Sequence, residues 1–204
     1  SYIVRRSVCG LSSKSYNKVF LQLLKRLKKG EVTPDGLRAA LSALEGDSSR
    51  WPRDEEFRRH WMTAPILTRL AELPRVRAVF WSLENAMRSS RREEPMTPEL
   101  TNLDIDHILP DEWFEHWPLD GTPVTKQEAD AAFLAELDLR DQTPKEKAIN
   151  RRQQLKNTIG NLTFLHYRIN RGLRNTSFDK KRERLFRESN LHLNRELMLK
   201  DTWG

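Results

Sequence analysis

Asp106 and His107 stand side by side at the end of an alternating run, Leu103-Asp104-Ile105-Asp106-His107-Ile108-Leu109, that Pro110 stops. A carboxylate is a hard oxygen donor suited to Mg²⁺ or Mn²⁺, and an imidazole, ordinarily titrating near neutrality, can take a proton from water. Neighbours on a strand point to opposite faces, so the pair can straddle a site without competing for one position. Such a pair suits phosphodiester hydrolysis, which needs a base beside the attacking water and a cation for the charge that builds on phosphate. A second apolar run, Ile159-Gly160-Asn161-Leu162-Thr163-Phe164-Leu165-His166, leads on to Asn170-Arg171-Gly172 and so supplies a neutral carboxamide.

Charge follows the same division. The chain has 36 Lys+Arg against 29 Asp+Glu, a net +7. Residues 1–97 hold 19 basic and 11 acidic groups, residues 98–144 hold 2 and 12, and residues 145–200 hold 15 and 5. Asp106-His107 lies in the acidic block and Asn170 in the basic one, as a cation-plus-phosphate site requires; mutual neutralisation on the surface is the alternative. Arg171, Lys180 and Lys181 are candidate phosphate contacts, with a solvated basic helix as the plainer reading.

Cys9 is the single cysteine, which excludes a disulfide within the chain and a cysteine-based zinc knuckle, and points to a reducing, cytoplasmic setting. No apolar run reaches membrane-spanning length, the start lacks signal-peptide order, and no Walker-type glycine-rich loop is present. Ser1 in place of Met suggests a piece of a longer protein.

The positioning elements are mostly helices. Tyr16, Val19, Phe20, Leu23 and Leu27 recur at helical spacing before Gly30; Thr33 can cap a helix opened by Pro34; Val76, Val79, Phe80, Leu83 and Met87 form another stripe. The polar stretch 88–95 reads as a linker, giving a helical scaffold lobe over 1–96 and a second domain over 97–204. Within the latter, two short strands, over 102–109 and 160–166, flank a long insertion, residues 111–158, made of an acidic helix over 126–140 and a basic one over 145–157. The acidic helix is expected to bury Ala129, Phe133 and Leu137; Ser177 can cap a helix over 178–188; His60 and His116 are read as structural and His192 as surface.

Asp106-His107-Ile108 with Pro110, then Gly160-Asn161-Leu162, then Asn170-Arg171-Gly172, resembles the HNH nucleases, built on a ββα-metal finger. Ser1 to Leu24, Trp51-Pro52-Arg53-Asp54-Glu55-Glu56-Phe57 and Phe178-Asp179-Lys180-Lys181-Arg182 resemble the C-terminal nuclease region of GmrSD-type modification-dependent restriction enzymes, an architecture shared by SspE-like phosphorothioate-sensing nucleases. The resemblance implies a mainly α fold with a small embedded ββα-metal finger. It implies His107 as general base, Asp106 and Asn170 as ligands of one divalent ion, Mg²⁺ or Mn²⁺, and Asn161 as the catalytic-site residue that fixes the finger loop. It further implies double-stranded, possibly modified DNA as substrate, a 5′-phosphate product, an upstream NTPase or sensor domain, and a role in bacterial antiviral defence. Two rival classes stay open: a non-catalytic DNA-binding or regulatory module on the same scaffold, and an HNH ribonuclease or toxin.

Overall fold

The structure is a computed structural model that describes residues 2–27, 33–70, 73–90, 102–173 and 175–203, without the side chains of Arg26, Leu27 and Glu115. The helix stop expected at Gly30, most of the linker expected over 88–95 and the boundary expected between 96 and 97 lie outside these residues. The chain divides into two compact units, residues 1–75 and 76–204.

The first unit is helical: α1 (Tyr2–Val8), α2 (Tyr16–Leu27), α3 (Pro34–Ser42), α4 (Asp54–Thr63) and α5 (Ile66–Leu70). The apolar stripe of α2 closes over Tyr2, Val19 and Leu41, with Phe20, Leu23, Leu37 and Trp51 packed around them. Thr33 caps α3 by accepting from Gly36 N at 3.1 Å, and Asp54, Glu55 and Glu56 place negative charge on the first turn of α4, where the helix dipole favours it. Arg6 is fully buried and pairs with no carboxylate among the described residues; its guanidinium donates instead to the carbonyls of Arg50 (2.7 Å), Ser12 (2.6 Å) and Asp47 (3.0 Å).

The second unit carries α6 (Leu73–Ser90, entering from the first), β1 (Leu103–His107), α7 (Lys126–Leu137), α8 (Pro144–Lys156), β2 (Leu162–His166), α9 (Tyr167–Leu173), α10 (Phe178–Glu188) and α11 (His192–Met198). The chain is thus mainly helical with a small two-stranded antiparallel sheet. No described helix is long and apolar enough to cross a membrane.

The insertion is one core with the end of β1. Ile108 and Leu109 pack with Trp113, Trp117, Val124, Ala129, Ala132 and Ile149, so the residues after His107 are gripped from behind by α7 and α8. Both helices open on a capping box, Thr125 with Glu128 and Thr143 with Glu146. The buried face of α7 differs from the expected one: Ala129, Ala132 and Ala135 are inside, while Phe133 and Leu137 are 58% and 61% exposed. Small side chains let α8 approach closely enough for Asn150 Nδ2 to reach the Ala132 carbonyl at 2.7 Å, and that contact chooses the alanine face. His192, read as surface, is fully buried. The reason lies on α6, where the buried Glu84 carboxylate accepts the N–H of His192 and of Leu193, each at 3.0 Å, and draws the start of α11 inward.

Candidate active site

The β1–β2 pairing sets Asp106 opposite Thr163 and His107 opposite Leu162. Immediately beyond, Asn161 closes a tight turn, Ile159–Asn161, and its backbone and side chain continue the pairing. Ile108 N donates to Asn161 O at 2.8 Å, and Leu109 N donates to Asn161 Oδ1 at 2.7 Å. In return Asn161 Nδ2 donates to Leu109 O at 3.1 Å and to Lys156 O at 2.8 Å. A carboxamide carries both a donor and an acceptor, so it can stand in for a peptide group at the point where the strand turns away. Trp203 Nε1 adds a 3.0 Å donation to the same Oδ1.

Asp106 and His107 then find different partners. Asp106 Oδ2 lies 3.3 Å from Lys181 Nζ of α10, and the same ammonium donates to the His107 carbonyl at 2.6 Å. Lys181 is only 3% exposed, and burial lowers its pKa against the opposing pull of the Asp106 charge. His107 Nε2 lies 3.4 Å from Asn157 Oδ1 at the end of α8. In the tautomer that carries its proton on Nε2, the ring donates to that carboxamide oxygen and Nδ1 is left as the acceptor. Asp111 pairs with Lys156 at 2.8 Å; that hydrogen bond, followed by the charges of Lys156 and His107, holds its carboxyl below the usual range despite burial.

Residues 51–204 match the family of GmrSD restriction endonucleases, C-terminal domain. The chain belongs to this family. Among curated proteins and among solved structures, nothing matches. Membership of the GmrSD C-terminal family puts the chain in the restriction-endonuclease class, whose substrate is DNA and whose domains generally need a divalent metal.

Within this GmrSD-type domain the fold brings Asp106, His107, Asn161 and Lys181 into one connected set. Asn170 is half-buried on α9, which follows β2 directly and packs on both strands; no hydrogen bond joins it to Asp106 or His107 among the described residues. Arg171 and Lys180 are exposed, with the Arg171 guanidinium 5.5 Å from the Tyr167 ring centroid. Lys181, grouped with them as a phosphate contact in the sequence, turns inward instead. It falls on the buried side of α10 with Leu185, four residues on, where it meets Asp106. His166 pairs with Leu103 at the other end of the sheet, four residue steps or roughly 13 Å of strand away from His107.

No group of three or more His, Cys, Asp or Glu is gathered as a metal site among the described residues. The donors that the sequence nominates are instead one carboxylate and one carboxamide. An oxygen-only set of so few protein ligands suits a hard ion that keeps most of its waters, which fits Mg²⁺ or Mn²⁺ better than zinc. The Asp106 oxygen that faces Lys181 is Oδ2.

Sequence reasoning missed Asn157, the Lys156–Asp111 pair and Trp203. Each lies far along the chain from the residue it serves, and no spacing rule marks such a contact.

Proposed function

We propose that this chain is a metal-dependent DNA endonuclease of the HNH type, with β1, β2 and α9 as its ββα-metal finger. The observation that carries this reading is the Asn161 clamp. It ties the Asp106-His107 end of β1 to the entry of β2, so that an acid, an imidazole and the helix bearing Asn170 are organised by one turn.

His107 acts as general base: its Nδ1 takes the proton of a water, and Asn157 Oδ1 holds the ring through Nε2–H as charge develops. Asp106 and Asn170 hold the divalent ion, which when bound supplies positive charge to the phosphate and to the departing 3′ oxygen. Lys181 fixes the Asp106 carboxylate and the His107 carbonyl from below, so the two neighbours keep their orientation toward substrate. Asn161 holds the loop after His107, and Arg171 and Lys180 contact substrate phosphates. In the whole protein the domain is the cutting element of a restriction system directed at foreign, possibly modified DNA, governed by an upstream NTPase or sensor domain.

The test is incubation of the chain with supercoiled plasmid and Mg²⁺ or Mn²⁺, with and without chelator, beside His107→Ala. Chelator-sensitive nicking or linearisation is expected. His107→Ala should lose at least two orders of magnitude in rate while binding DNA as well as the parent does. Equal cleavage by the variant removes His107 from the role, and digestion of RNA in preference to duplex DNA makes the domain a ribonuclease.

A further inference from the structure

The first unit holds a cleft of about 480 Å³ whose walls include Ser7, Ser13, Tyr16, Thr68, Arg69 and Arg75. Those side chains offer hydroxyls and guanidiniums, and no carboxylate lines the cleft among the described residues. Arg69 is exposed, and its guanidinium has neither a carboxylate nor a hydrogen-bond acceptor among the described residues. The guanidinium lies against Gly10, whose φ of +71° favours glycine; a Cβ there would come 1.9 Å from Arg69 Nη1, so any other residue would make the arginine swing aside. Tyr16, on the same wall, has its hydroxyl shut off from solvent with no hydrogen-bond partner among the described residues. Residues 1–75 carry 15 Lys+Arg against 8 Asp+Glu, a balance of +7, so the cleft sits in a positive unit.

A planar guanidinium fork beside hydroxyl donors matches the oxygens of a phosphate, and a positive surround draws a polyanion toward it. The geometry points to a phosphate-binding subsite in this cleft, taking a backbone phosphodiester of nucleic acid, carried by the first unit rather than by the unit that bears Asp106 and His107. A contact of this kind reads no bases; it adds affinity and fixes where the duplex lies. That the phosphate belongs to DNA rests on the function proposed above, whereas the anion chemistry of the cleft does not.

The experiment measures binding of a labelled duplex to the whole chain in EDTA at several salt concentrations, by fluorescence anisotropy. Arg69→Gln is compared with Arg58→Gln, an equal change of charge at an exposed position on α4 outside the cleft. Arg69→Gln should weaken binding about 3- to 10-fold and reduce the salt slope by about 1, while Arg58→Gln stays within about twofold of the parent. Both residues are exposed, and circular dichroism verifies that the variants fold. Equal losses in the two variants would mean that net charge alone is at work and would overturn the subsite, as would no loss in either. Arg69-dependent binding of inorganic phosphate without duplex binding would overturn the nucleic-acid source. Plasmid cleavage is scored separately: Arg69-dependent duplex binding without cleavage sinks the nuclease reading and leaves the subsite standing, and cleavage with Arg69-independent binding does the reverse.

Discussion

Replacing Asn161 by alanine should unfold the corner that orders the site. The side chain accepts from Leu109 N and Trp203 Nε1 and donates to Leu109 O and Lys156 O, at 2.7 to 3.1 Å. Leu109 is fully buried, so its N–H cannot turn to water once the partner is gone. An orphaned buried donor costs about 1–3 kcal/mol, and the lost bonds to Trp203 and Lys156, which lie nearer solvent, add about 1 kcal/mol together. A total of about 3 kcal/mol follows. In a unit of roughly 130 residues, about 3–5 °C of melting temperature goes with each kcal/mol, so Asn161→Ala should melt about 10–15 °C below the parent. Asn161→Asp keeps the acceptor for Leu109 N but turns a carboxylate oxygen toward two carbonyls, so it should rescue little. Calorimetry gives the melting shift, and amide exchange at Leu109 localises it: that amide should lose its protection. A melting temperature within about 2 °C of the parent, with the Leu109 amide still protected, would refute the assignment of this corner to the Asn161 carboxamide.

Two further outcomes separate roles that the sequence merged. Lys181→Met removes a buried donor from Asp106 and the His107 carbonyl, so cleavage should fall at least 10-fold with duplex affinity in EDTA nearly unchanged, whereas Lys180→Ala should weaken affinity and lower the salt slope. The opposite pattern would return Lys181 to a plain phosphate contact. Glu128 and Glu146 are each lowered from 4.5 to about 2, chiefly by hydrogen bonds from Lys145 and Arg140 and then by those of the capping boxes. A carboxyl whose pKa is lower in the folded state stabilises above its unfolded value, so this contribution is complete above about pH 4.5 and is lost as pH falls toward 2. Melting temperatures taken from pH 5 to pH 2 should therefore fall less steeply in Glu128→Gln/Glu146→Gln than in the parent; parallel curves would show that these carboxylates are not coupled to folding.

Local signals were legible wherever a residue's partner lies within a turn or a strand of it. The helices expected over 126–140 and 145–157 form at Lys126–Leu137 and Pro144–Lys156, each closed at its start by a capping box, and the alternation before Pro110 is a strand. The expected strand over 160–166 shortens to Leu162–His166 because Gly160 and Asn161 are spent on the turn that makes the clamp. Long-range partners were not legible. Phe133 and Leu137 outrank alanine on any hydropathy scale, yet the close approach of α8 buries the alanine side of α7, and an 18-residue separation between Asn150 and Ala132 leaves no periodic trace.

The order of residues says which atoms are available: an acid and an imidazole on adjacent strand positions, carboxamides at 161 and 170, and cations along the chain after 145. It also determined most of the helices, because capping and apolar spacing act between residues close along the chain. What those atoms touch follows from packing between distant parts of the chain. Lys181 lies on Asp106 from 75 positions away, and Trp203 reaches Asn161 from 42. Such contacts depend on how α10 and the chain's end pack against the sheet, a matter of shape and volume in three dimensions that no spacing along the chain encodes.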